Sequence, residues 1–112
     1  MNVNAESYGH AVILHCRGEL TCDSLEAFRH AVDHQLLAES QVHDVVLDLE
    51  AVPFVDSATL EYFLELQEQL NDRLGQVKLA RLDENVAKIL QITRLDQAFE
   101  VCADVAEVVK NL

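Results

Sequence analysis

Apolar and β-branched residues crowd positions 11–17, AVILHCR, and predict a strand with Val12, Leu14 and Cys16 on one face. Gly9, just ahead of that run, predicts a hairpin to a short N-terminal strand near Val3. GELTCDS follows as a loop, in which Asp23 or Ser24 is placed to cap a helix. From Ser24 to about Ala38, Leu25, Phe28, Val32 and Leu36 recur at spacings of three, four and four, an amphipathic helix. DVVLDLE, residues 44–50, is almost continuously apolar, as in a strand covered on both faces of a sheet.

A second helical pattern runs from about Ser57 to Leu74, with Leu60, Phe63, Leu64, Leu70 and Leu74 on one side. Glu61, Glu65, Glu68 and Asp72 line the other side, and Gln67 interrupts the apolar one. Gly75 supplies a C-terminal stop. QVKLARL (76–82) predicts a further strand, ENVAKILQIT (84–93) a helix, FEVC (99–102) a last strand and DVAEVVKNL (104–112) a closing helix. Strands alternating with helices imply right-handed crossovers. The expected fold is α/β, with a small, mostly parallel or mixed sheet of four to five strands packed with about four helices. A single domain over residues 1–112 is expected, since the length suits one hydrophobic core.

Composition narrows the function. Half the residues are hydrophobic and a quarter charged, with mean hydropathy +0.06, as in a globular protein. No apolar run approaches the roughly 20 residues of a membrane span, and MNVNAESYGH lacks the basic and apolar segments of a secretion signal. A cytoplasmic protein without membrane insertion is expected. Net charge is −12, from 20 acidic and 8 basic residues. Such a field repels phosphate backbones, so nucleic acid is not an expected partner; the acidic balance suits a basic protein surface, and equally serves solubility alone. Cys16, Cys22 and Cys102 are odd in number and form no CxxC pair, so they read as reduced thiols.

Catalytic chemistry finds little support. His30 and His34 stand four apart with Glu26 one turn earlier, a spacing that can present two imidazoles to an ion. The core stripe through Phe28 and Val32 places them on the opposite, wet face, and no metal is expected. His15 adjoins Cys16, but consecutive strand residues point to opposite faces. No GxGxxG or P-loop pattern is present to cradle a phosphate, and no cofactor is expected. The chain reads as a binding protein and not an enzyme.

Asp56-Ser57 stands where the apolar run ends and the second helix begins. One reading is an N-cap, in which either side-chain oxygen accepts from a free helix amide. The other is a functional serine: a helix that follows a parallel strand starts at the strand's C-terminal edge, where open α/β sheets place their sites. A phosphoryl group on Ser57 would meet the positive end of the helix dipole, worth roughly 0.3–1 kcal/mol at an exposed position.

At these residues the chain resembles the STAS domain of bacterial anti-sigma-factor antagonists. VVLDLEAVPFVDSATL is similar to the family's strand, turn and Asp-Ser-Ser-Gly helix start, and RGELT to its Gly-Glu-Leu-Asp loop. LDENVAKILQITRLDQAFEVCADVAEVVKNL resembles its C-terminal half, so the likeness covers roughly residues 10–110. Ala58 and Thr59 stand where the family has its second serine and its glycine, Thr21 replaces the loop aspartate, and Glu61 replaces a residue that is often small.

The resemblance implies a phosphorylation switch. Ser57 is then the residue modified by an anti-sigma factor that is itself a serine kinase of histidine-kinase-like ATPase fold, and a phosphatase resets it. The unphosphorylated form sequesters that kinase. Gly18, Glu19, Leu20, Thr21, Asp56, Ala58 and Thr59 become the expected docking surface, with Thr59 a second candidate acceptor. A phosphate adds about −1.5 to −2 charges, and a 3 kcal/mol penalty at an interface weakens binding by more than about a hundredfold. The alternative implied by resemblance is a constitutive STAS subunit docking on an ABC transporter ATPase in lipid trafficking.

Overall fold

The computed structural model describes residues 2–38 and 42–110. Five strands form one mixed sheet: β1 (Asn2–Tyr8), β2 (Ala11–Arg17), β3 (Asp44–Ala51), β4 (Val77–Ala80) and β5 (Glu100–Cys102). Four α-helices alternate with them: α1 (Cys22–Ala38), α2 (Ser57–Asn71), α3 (Glu84–Ile92) and α4 (Val105–Lys110). The strands lie side by side in chain order, β1 antiparallel to β2 and all later neighbours parallel. Because successive right-handed crossovers advance in one direction, their three helices fall on one face of the sheet.

That face holds the main core. Phe28 and Val32 of α1, Phe63 and Leu66 of α2 and Leu90 of α3 pack on Val12, Leu14, Leu47 and Leu79. Phe63 sits edge-on to both Phe28 and Phe99, with ring centroids 6.2 and 6.3 Å apart, the arrangement that aromatic quadrupoles favour. On the opposite face Ile13, Val46, Ala80 and Cys102 form a smaller cluster, covered by Val105 of α4. The expected α/β sheet is therefore present with five strands. Asn111 and Leu112, the last two residues of the expected closing helix, lie outside the described residues.

Several boundaries differ from expectation for physical reasons. The helix expected over 57–74 ends at Asn71, and Leu74 is 96% exposed instead of buried. Leu74 takes the left-handed position (φ 63°) of the C-terminal turn, while the next amide, from Gly75, donates to Leu70 O at 2.8 Å. Gly75 answers a close approach: a Cβ there would lie 1.6 Å from the carbonyl oxygen of His43. Tyr62 and Leu66 are buried where Leu64 is partly exposed, so the apolar stripe is rotated from the one expected. Gln67, which interrupts that stripe, accepts from the Val77 amide at 2.9 Å and donates to Asn71 Oδ1 at 3.0 Å, satisfying the donor that opens β4.

Candidate functional site: two helix starts on one rim

Parallel strands bring the β2–α1 and β3–α2 loops to the same rim of the sheet, and the backbone joins them there. Leu20 and Val55 form a parallel bridge, Leu20 N donates to Phe54 O at 3.0 Å, and Asp56 N donates to Leu20 O at 3.2 Å. The β2–β3 pairing thus continues beyond a register shift between His15 and Arg17 and holds one loop against the other.

Asp56 is the N-cap of α2: its Oδ1 accepts from Thr59 N at 2.9 Å. Its Oδ2 accepts from Cys22 N at 2.7 Å, so the same carboxylate also holds the first turn of α1. Burial raises its pKa, but the amides of Thr59 and Cys22 outweigh that and leave it below the ordinary aspartate value. The cap expected at Asp23 or Ser24 has a different origin. α1 begins at Cys22, and Ser24 Oγ accepts from Thr21 N at 3.1 Å while donating to Glu19 O at 2.8 Å, which fixes the loop from within.

Ser57 is exposed at the first position of α2. Glu19 is exposed in the β2–α1 loop, and Gly18, Thr21, Asp56 and Ala58 are half-buried. Phe54, 45% exposed, adds an apolar side chain to the same loop, one that the sequence reading passed over. Two expected surface residues are corrected. Leu20 and Thr59 are both fully buried. Leu20 belongs to the core beneath the rim, and the Thr59 hydroxyl donates to Leu20 O at 2.9 Å. Thr59 is a lock between the loops, with its hydroxyl closed to a kinase. Thr59→Val keeps the shape and removes that bond. Leu20 O retains the Asp56 amide, so the loss expected in chemical denaturation is only about 1 kcal/mol.

The remaining candidates lie elsewhere. His30 and His34 are exposed on α1, where His30 Nε2 meets Glu26 Oε1 at 3.3 Å one turn away. Cys16 is core, and burial pushes its thiol up to about 12. His15 points to the opposite face, where sequence reading missed a polar cluster. Asp48, 4% exposed, accepts from His15 Nδ1 at 2.7 Å, from Arg81 Nε at 3.1 Å and Nη2, and from Glu50 N at 3.2 Å. Burial raises the Asp48 pKa, but its bonds to Arg81, His15 and the Glu50 amide together bring it below the ordinary value. Arg81 also pairs with Glu50, and it adopts φ 53° to turn its guanidinium onto both carboxylates. The signal was one polar residue inside each apolar strand, His15 and Asp48, aligned in the β2–β3 register.

Fold and rim define a class: a small α/β sheet that presents a serine at a helix start whose capping carboxylate also holds a second helix. The chain belongs to the STAS domain family, whose pattern matches residues 2–108. Among curated proteins, none matches it by sequence. A candidate anti-sigma factor antagonist of Thermotoga maritima has the same fold, with TM-score 0.88 and 21% identity over 97% of this chain and 92% of that one. The anti-sigma factor antagonist SpoIIAA, a Bacillus cell fate determinant, superposes in its unphosphorylated form with TM-score 0.83 and 20% identity, covering 98% of this chain and 95% of that one. Its phosphorylated form gives TM-score 0.75 at 19% identity, covering 98% of each chain. The murine anion transporter Slc26a9 contains the fold within a larger chain, with TM-score 0.78 and 20% identity over 93% of this chain and 18% of that one. At these identities the likeness is one of fold. Among the described residues no helix is long and apolar enough to cross a membrane.

Proposed function

We propose that this STAS domain is an anti-sigma-factor antagonist, a non-enzymatic protein-binding module whose docking on an anti-sigma serine kinase is gated at Ser57. One observation carries the reading: Ser57 is exposed at the start of α2, held beside the Gly18–Thr21 loop by the double cap of Asp56. The unmodified rim is already acidic through Glu19, Asp56 and the exposed Glu61, so a phosphate adds charge that a contact matched to the bare serine has no group to balance. A phosphate on Ser57 would lie within reach of the α2 dipole, so the fold tolerates it. Against a partner without a receptor for it, the added charge raises desolvation and repulsion. A phosphatase would restore the docking form. This activity fits the cytoplasm, where kinase and sigma factor meet.

The test uses a purified ATPase of histidine-kinase-like fold with magnesium and ATP. Intact mass should show one phosphoryl group on the wild type and none on Ser57→Ala. Ser57→Asp carries less charge than phosphoserine and should weaken kinase binding by about tenfold, or 1.4 kcal/mol, without changing the circular dichroism spectrum. Modification of Ser57→Ala at the wild-type rate would remove Ser57 from the proposal.

Glu61 favours a second reading. It is exposed four residues after Ser57, which puts a carboxylate beside the serine whatever its state. On that reading the same rim docks constitutively on a partner such as an ABC transporter ATPase in lipid trafficking. Wild type and Ser57→Asp would then bind that partner with equal affinity.

A further inference from the structure

β1 is the outermost strand of the sheet, and six of its seven residues are exposed. Val3 is its partly buried contribution to the core. Beyond its backbone ladder to β2, a polar side-chain link leads inward from Glu6: Glu6 Oε2 lies 3.0 Å from His15 Nε2. The other ring nitrogen of His15 lies 2.7 Å from Asp48 Oδ2. An ionised carboxylate only accepts hydrogen bonds, and a neutral imidazole has one N–H to offer. Neutral His15 would therefore turn a bare lone pair towards a carboxylate oxygen. Both contacts are satisfied only when the ring carries two protons.

The proton does not belong to Asp48. Arg81 grips that carboxylate with Nε and Nη2, and the Glu50 amide donates to it as well. Glu6, by contrast, is held by His15 and by the Tyr8 hydroxyl of its own strand, at 3.2 Å. The other charged groups near the cluster are Arg17, which lies on the same face of β2, Glu50 on β3 and Asp104 ahead of α4, whose field reaches Arg81. An open depression lined by Asn2, Asn4, Arg17, Glu50 and Arg81 brings water to the cluster.

We propose that β1 is a pH-gated strap, riveted to the sheet by the doubly protonated ring of His15 and loosened when that ring loses a proton. The break falls on one side. The Asp48 carboxylate cannot turn away from its Arg81 clamp, so the remaining N–H stays on Nδ1 and the lone pair faces Glu6. Glu6 then swings out with its exposed strand. Since Asn2 pairs with Arg17, directly before Gly18, loosening the strap bares the edge of the strand that carries the rim loop. The inference stands whether or not Ser57 is modified.

Bonds first to Glu6 and then to Asp48 raise the His15 pKa above its ordinary value, against burial, which lowers it. A raised value means that the stabilisation is complete below the free-histidine pKa of about 6.5 and is lost as pH rises through the folded one. On the acid side, the His15 bond and burial act oppositely on Glu6 and the bond prevails, so its pKa lies below the ordinary value. The strap therefore stays fastened down to the folded pKa values of Glu6 and Asp48.

The experiment is NMR on the full chain, following the His15 ring resonances and amide exchange in β1 and β3, corrected for the intrinsic pH dependence of exchange. His15 should titrate above about 6.5, and Glu6→Gln, a surface change that keeps an acceptor, should lower that midpoint. The open fraction of β1 relative to β3 should rise with pH by about tenfold for each unit by which the wild-type His15 midpoint exceeds that of Glu6→Gln, since the bond to Asp48 survives opening. In His15→Gln the relative opening should be flat with pH. A midpoint at or below the free value, or identical pH dependence in β1 and β3, would overturn the strap.

Discussion

Asp56→Ala should lower stability by about 2–3 kcal/mol, since each lost cap contributes about 0.5–2 kcal/mol. The carboxylate serves two helices, accepting from Thr59 N in α2 and from Cys22 N in α1. Alanine leaves both amides without that acceptor and cuts the side-chain link between the two rim loops. At about 4–8 °C per kcal/mol for a domain of this size, the melting temperature should fall by on the order of 10 °C. Asp56→Asn retains one acceptor oxygen but turns an NH₂ towards the other amide, so it should recover about half the loss. A melting temperature for Asp56→Ala within about 2 °C of wild type would rule out the dual cap. The kinase docking proposed above should weaken along with stability even though Ser57 is intact, because the loop and the serine no longer share one frame.

Two adjacent residues at the end of α2 should respond with opposite signs. Gly75→Ala places a methyl carbon 1.6 Å from His43 O and 2.3 Å from His43 C, backbone atoms with little room to yield. The α2–β4 connection must lift away from the start of β3. That strains the bonds from Val45 N to Gln76 O, from Gln76 N to Asp44 Oδ1, and between His43 Nδ1 and Arg73 O. A loss of about 3 kcal/mol or more is expected in urea denaturation, within the range of severe packing defects. Leu74→Gly instead relieves a left-handed backbone at a side chain that packs on almost nothing. It should stabilise the fold by up to about 1 kcal/mol. Equal and small effects at both positions would show that the turn is not built as described.

The sequence pattern foretold the five strands and four α-helices of the described residues, though not the short 3-10 helix at Leu95–Gln97, because each apolar face repeats over short distances: Val12, Leu14 and Cys16 in β2, or Phe28, Val32 and Leu36 in α1. It placed Asp56-Ser57 at a helix start for the same local reason. What stayed hidden depends on residues far apart in the chain. The second amide bound by Asp56 lies 34 residues earlier, and the carbonyl that excludes a side chain at Gly75 belongs to His43. Burial of Thr59 was within reach, since 59, 63, 66 and 70 follow one helical stripe, yet its polarity marked it as surface. Arg81 gave no local sign that a left-handed backbone would carry it onto Asp48.

Spatial order in the sheet repeats chain order from β1 to β5. Each strand is thus added to a neighbour made one strand–helix unit earlier, and such short sequence separations favour rapid folding. During translation the β1–β2 hairpin emerges before the rest of the sheet. Each later crossover then extends a finished edge, and Val105 arrives last to seal Ile13 and Val46. The chain can assemble in the direction in which the ribosome delivers it.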